Sequence, residues 1–125
     1  MKLLLVASST FLRKRLSAIL DCLDYVEIFE ATVVKETSQE ILAMQPEMVV
    51  MNAQLPDENG LEALARLRSE CPSACFIVIS CNSSELYRKR WLQAGADHCF
   101  DLTVQIDQFL NLVLHHSQTR LGSTQ

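Results

Sequence analysis

Several things are scarce in this sequence, and each scarcity excludes something. Three glycines and three prolines in 125 residues are too few for a collagen-like repeat or a low-complexity linker. The five cysteines (Cys22, Cys71, Cys75, Cys81, Cys99) are odd in number and contain no Cys-x-x-Cys pair, which argues against a disulfide framework and for a reducing compartment. Long hydrophobic runs are missing too. The N-terminal run Leu3-Leu4-Leu5-Val6 ends after four residues and Arg13-Lys14-Arg15 follow, so it neither targets nor spans a membrane, and the expected location is the cytoplasm. Positive charge is short: 11 Lys and Arg against 15 Asp and Glu leave −4. With basic runs only at Arg13-Lys14-Arg15 and Arg88-Lys89-Arg90, no broad phosphate-tracking surface forms, and direct nucleic-acid binding is not expected. What is present is ordinary: 49% apolar and 21% charged residues describe one folded globular domain of common size.

The apolar residues fall into two kinds of pattern. Leu3-Leu4-Leu5-Val6, Met48-Val49-Val50-Met51 and Phe76-Ile77-Val78-Ile79 are continuous, as in strands covered on both faces in the middle of a parallel sheet. Tyr25 to Glu30 alternates and His98-Cys99-Phe100 is very short, so these suit a second and a fifth strand at the edges. Leu12, Leu16, Ile19, Leu20 and Leu23 recur at helical steps after Ser8 or Ser9, which can cap that helix. Further helices are expected over Val34–Met44, Leu61–Arg68 and Glu85–Ala94, the last begun by Ser83-Ser84 and stopped by Gly95. Thr103 is expected to cap a fifth helix carrying Ile106, Phe109, Leu110 and Val113. From Ser117 the sequence turns polar and reads as a frayed end, so the domain is taken as residues 1–118, with 119–125 a polar tail or the start of a linker.

Five βα units of this kind make a doubly wound three-layer α/β sandwich. Such sheets carry their sites at the carboxyl ends of the strands, which directs attention to Ala7-Ser8-Ser9, Asn52-Ala53-Gln54, Ser80-Cys81-Asn82 and Asp101-Leu102-Thr103. Residues 48–60, with Asn52 ending the strand and Pro56 and Gly60 four and eight positions later, resemble the third strand and following loop of a response-regulator receiver domain. Phe76 to Ser80 resembles that family's fourth strand with its terminal hydroxyl residue, and Ala94-Gly95-Ala96-Asp97 its turn before the fifth strand. The resemblance covers roughly residues 2–117. It implies a flavodoxin-like or CheY-like (βα)5 fold with sheet order 2-1-3-4-5, and a place in two-component, phosphorelay signal transduction.

The same resemblance implies a dismantled switch. The family's acidic pair falls on Ala7 and Ser8, its phosphoacceptor Asp on Asn52, its phosphate-pairing Lys on Leu102 and its switch aromatic on Cys99; only Ser80 is retained. Mg²⁺ requires hard, preferably anionic oxygens, and phosphoryl transfer depends on charge neutralisation by metal and cation. Mg²⁺ binding is therefore expected to be lost, no catalytic residue, cofactor or metal ligand is assigned, and the chain is read as a non-enzymatic pseudo-receiver. For Ser80 the simpler role is capping of the fourth helix.

Other constellations are weaker. Ser8-Ser9-Thr10 resembles a flavin-phosphate loop, but lacks glycine and an aromatic sandwich. Cys81 and Cys99 lie near neighbouring strand ends, but neither has a neighbouring Lys or Arg to activate it, so redox sensing is the lesser reading. His98-Cys99 and His115-His116 match no recurrent metal-ligand spacing. Tyr87 and Trp91 stand i, i+4 beside Arg88, Lys89 and Arg90, with Asp97, Asp101 and Asp107 as potential counter-charges. The family's dimerisation and output surface lies on the fourth helix, fifth strand and fifth helix, so Tyr87, Arg88, Arg90, Trp91, Asp97 and Asp107 form the expected interaction face for a protein partner or a second copy. An output domain in a longer chain is compatible with this reading. The alternatives are a phosphorelay-competent receiver with a non-standard acceptor and, behind it, a flavodoxin-like or redox module.

Overall fold

The computed structural model describes residues 1–32, 39–54, 59–81 and 84–123. Strands and helices alternate along the chain: β1 (Lys2–Val6), α1 (Thr10–Leu20), β2 (Glu27–Ala31), α2 (Gln39–Ala43), β3 (Met48–Asn52), α3 (Gly60–Glu70), β4 (Cys75–Ser80), α4 (Glu85–Gln93), β5 (His98–Asp101) and α5 (Ile106–Ser123). Every pairing is parallel, and the sheet order is β2-β1-β3-β4-β5. The fold class and order implied by the sequence are those observed.

The continuous apolar runs explain the layering. β1, β3 and β4 are buried almost throughout, whereas at the edges β2 is exposed or half-buried along its length and β5 alternates. Because successive side chains point to opposite faces, Leu4, Val6, Val49, Met51, Phe76 and Val78 pack with Leu64 and Leu67 of α3 and Trp91 of α4. Leu3, Leu5, Met48, Val50, Ile77 and Ile79 pack on the other face with Leu16 and Leu20 of α1 and Phe109 and Val113 of α5. A strand with one polar face would leave one of these helix layers without a floor.

Helix ends follow local chemistry. Ser9, Asn59 and Ser84 cap α1, α3 and α4, each accepting backbone N–H groups of the first turn. Gly95, at φ 119°, closes α4: its N–H reaches Leu92 O (3.3 Å) and the Ala96 N–H reaches Trp91 O (3.1 Å), the paired bonds of a Schellman ending that demands a left-handed residue. At the far end of the sheet, the Asp97 carboxylate accepts both the Phe76 N–H (2.8 Å) and Arg68 (3.0 Å), while the guanidinium lies 4.9 Å from the centre of the Phe76 ring.

Two expectations are corrected. Thr103 does not cap the fifth helix: its N–H and hydroxyl both donate to the Asp101 carboxylate (3.0 and 2.6 Å), and the nearer acceptor holds it in a turn before α5. The polar C-terminal stretch does not fray from Ser117, because α5 runs on to Ser123. Ser117 lies one turn after Val113 on the buried stripe, with its hydroxyl on Leu114 O (2.9 Å). Of the second helix expected over Val34–Met44, the described residues form α2 at Gln39–Ala43; residues 34–38 lie outside the described residues.

Two predictions follow from this packing. A Cβ at Gly60 would stand 2.6 Å from Trp91 Cη2 and 2.9 Å from Ala53 O, so Gly60→Ala is expected to destabilise by about 1–3 kcal/mol through overpacking and to red-shift Trp91 emission, both readable in one fluorescence-detected urea titration. The second concerns His116. Burial, then the neighbouring imidazoles of His115 and His98, hold its pKa below the ordinary 6.5, against the pull of Asp97. The unfolded chain therefore binds this proton more readily than the fold, so the stabilisation is full above about pH 6.5 and is lost as pH falls through the lower folded value. Thermal scans between about pH 7 and 5 should show a falling Tm that His116→Gln partly flattens.

Candidate functional site

The carboxyl ends of β3 and β4, the residue after β5 and the first turns of α1 and α4 enclose a cavity of about 470 Å³, lined by Leu12, Asn52, Gln54, Ile79, Ser80, Cys81, Tyr87 and Leu102. Three of the residues singled out in the sequence, Asn52, Ser80 and Leu102, come together here. Asn52 ends β3, and its side-chain oxygen accepts the Gln54 N–H (3.2 Å), while the Ala53 N–H bonds Ile79 O (2.9 Å). This Asx-type bond satisfies the loop backbone. Ser80 is the buried last residue of β4, its carbonyl accepting the Leu102 N–H (2.9 Å). It does not cap α4, as expected from sequence; Ser84 takes that position because the helix begins only at Glu85. Leu102 is half-buried and packs into the layer of α1 and α5.

Ala7 and Ser8 follow β1 on the strand next to Asn52 but do not line the cavity. Ala7 is fully buried, and its N–H extends the ladder to Ala31 O (3.0 Å). The carbonyls of Ala7 and Ser8 accept Arg13 Nη1 (2.6 and 3.2 Å). Arg13 Nε stands 4.0 Å from Glu30, and the Ser17 hydroxyl donates to the same carboxylate (3.1 Å). The guanidinium thus ties the start of α1 to the ends of β1 and β2. Sequence reading missed this clamp and took Arg13 as part of a basic run, although its position four residues after the Ser9 cap puts it one turn into the helix, back over the strand end.

The α4 residues divide differently from the expected face. Trp91 is 4% exposed and packs under α4 against the sheet, so it is corrected from contact residue to core. Tyr87 is half-buried, lines the cavity, and meets Trp91 edge-on at 6.3 Å. Asp97 is held by Arg68 and the Phe76 N–H at the opposite end of the sheet, with its side chain 40% exposed. Asp101 is buried and holds Thr103. Arg88, Arg90 and Asp107 are exposed, and Arg88 stands 3.9 Å from Glu85. Between α4, β5 and α5 lies a second concavity of about 570 Å³ that includes Glu85, Arg88, Cys99, Asp101 and Val104.

The cysteines are free thiols. Cys99 is buried in β5, and burial pushes its thiol pKa up, with the Arg88 guanidinium pulling it partly back. A cation is therefore near Cys99 after all, but desolvation prevails over it and works against a thiolate. Cys75 is likewise pushed up, to about 11, by burial and by Asp97. Among the described residues no group of three or more His, Cys, Asp or Glu is arranged to hold a metal ion, and no helix is long and apolar enough to cross a membrane.

Residues 3–114 match the response regulator receiver domain family. The transcriptional regulatory protein MctR of Rhizobium johnstonii is 24% identical over 113 residues, 90% of this chain and 53% of MctR, so the chain spans about half the length of that relative. Chemotaxis protein CheY of Thermotoga maritima is 27% identical over 95 residues, 76% of this chain and 79% of CheY. In structure, the signal receiver domain of a putative Luxo repressor protein from Vibrio parahaemolyticus superposes with a TM-score of 0.80 at 20% identity, covering 98% of this chain and 95% of the other. With its five βα units in the order 2-1-3-4-5 and a family match over nearly its whole length, the chain belongs to the response regulator receiver domain family of two-component signalling.

Proposed function

We propose that this receiver domain works without phosphorylation, as a protein-protein interaction or dimerisation module. The observation that carries the reading is the cavity at the strand ends, whose described lining holds no formal charge: Asn52 stands at the end of β3, Leu102 follows β5, and the remaining polar groups are hydroxyls, a thiol and an amide. The donor set does not fit Mg²⁺. A carboxamide oxygen engaged by Gln54 and a serine hydroxyl supply no negative charge to offset dehydration of that ion. Asn52 also has no anionic oxygen to attack phosphorus, and the cation that would balance a transferred phosphoryl group is replaced by the apolar Leu102. Incubation with acetyl phosphate and Mg²⁺ is expected to leave the intact mass and Trp91 emission unchanged. A stable phosphoryl adduct on Ser80 or another cavity residue would overturn the reading and favour a receiver with a non-standard acceptor.

The surface that serves this role is the exposed part of α4, β5 and α5. Arg88 and Arg90 are opposite in charge to Asp107 on the first turn of α5, which suits pairing across a two-fold axis with a second copy. Such exposed pairs orient more than they bind, at up to about 1 kcal/mol each. Since Trp91 is core, the informative change is Arg88→Glu with Arg90→Glu. It is expected to weaken self-association by roughly fivefold per lost pair, measured by sedimentation. Unchanged association would remove this face from the reading. MctR is about twice the length of the segment it shares with this chain, and we infer that a fused or separate output module reads the interface in the cytoplasm.

A further inference from the structure

We infer that the cavity at the strand ends is a binding site for a small uncharged molecule, a planar amide or lactam with an aromatic or apolar body. This rests on the loss of phosphoryl chemistry proposed above, and adds an occupant to the site. Its volume, about 470 Å³, lies within the range of roughly 300–1,000 Å³ typical of ligand sites. The lining combines apolar walls (Leu12, Ile79, Leu102) with neutral hydrogen-bonding groups on Asn52, Ser80 and Tyr87.

The chemistry of the lining selects the class of ligand. An anion would enter a site whose described walls offer no counter-charge, and a cation would find no carboxylate among those described walls; against them either would lose its hydration without repayment. A neutral amide carries both a donor and an acceptor. Because the Asn52 side-chain oxygen accepts the Gln54 N–H, its NH₂ faces the role of donor to a ligand carbonyl, and the hydroxyl of Tyr87 can serve either way. The Tyr87 ring supplies a flat apolar surface. Phe11 and Leu86, next in sequence to the lining residues Leu12 and Tyr87, are 74% and 73% exposed in the first turns of α1 and α4. Occupancy has a direct route to the fold, since Tyr87 meets Trp91 edge-on and Trp91 abuts Gly60 at the start of α3.

Benzamide and benzoate test this directly, being nearly the same in size and shape and differing in charge. Titrated into the ¹⁵N-labelled full chain, benzamide and 2-pyridone are expected to saturate in about the low-millimolar range, shifting the amide resonances of Gln54, Cys81, Tyr87 and Leu102 and changing Trp91 emission. Benzoate and inorganic phosphate are expected to leave them in place. Asn52→Ala should weaken benzamide binding by roughly three- to tenfold, the loss of one neutral hydrogen bond, and Leu102→Lys should abolish it; Gln54→Ala, at an exposed position, provides a milder lining change. No saturable shift with either amide, shifts centred outside the cavity, or benzoate binding as tightly as benzamide would each overturn the inference. A phosphoryl adduct in the mass experiment overturns the earlier reading, whereas an absent adduct with no amide binding overturns this one alone.

Discussion

Everything in this molecule depends on a sheet that must be covered on both faces. The central strands carry apolar side chains up and down, and their backbone groups are satisfied only by parallel neighbours, so each strand needs a helical crossover before the next. That requirement consumes nearly the whole chain. It leaves chemical variety to the short connections at the carboxyl ends of the strands, where Asn52, Ser80 and Leu102 meet.

The electrostatics of that end are consistent with one another. A lone lysine in place of Leu102 would be an unbalanced charge beside a neutral carboxamide, and a lone carboxylate in place of Asn52 would face apolar walls. The neutral residues make sense as a set. Positive charge near the strand ends sits instead on Arg13, whose guanidinium is occupied by the carbonyls of Ala7 and Ser8 and by Glu30. It acts as a structural clip between α1 and the sheet, and its 16% exposed side chain shields it from salt more than the open pair of Arg88 and Glu85.

Strands and sheet order were legible because continuous apolar runs have few interpretations in an α/β chain. Caps were legible where a hydroxyl or amide residue directly precedes a helix, as at Ser9 and Ser84, and misread where a stronger local acceptor competed, as Asp101 does for Thr103. The length of α5 was hidden because Ser117 is polar yet buried, its hydroxyl turned back to Leu114 O. Asn52, Ser80 and Leu102 could be assigned to the site from strand ends, whereas Leu12 and Tyr87, which complete its wall from α1 and α4, could not. The exposure of α4 residues could not, because helical spacing brings Tyr87 and Trp91 to one face without saying that this face is inward. The partners of Asp97 were hidden for a related reason: Arg68 and the Phe76 N–H come from distant segments that only the folded sheet brings near.

Leu102 ties the cavity to the core. Its side chain is shared between the cavity wall and the apolar layer under α1 and α5, so a lysine there would remove packing from the core while its ammonium met no carboxylate among the described lining residues. A carboxylate introduced at Asn52 alone would likewise find no cation among those residues. Either change made singly is uphill, so the wall of the cavity and the floor of a helix layer vary together or not at all.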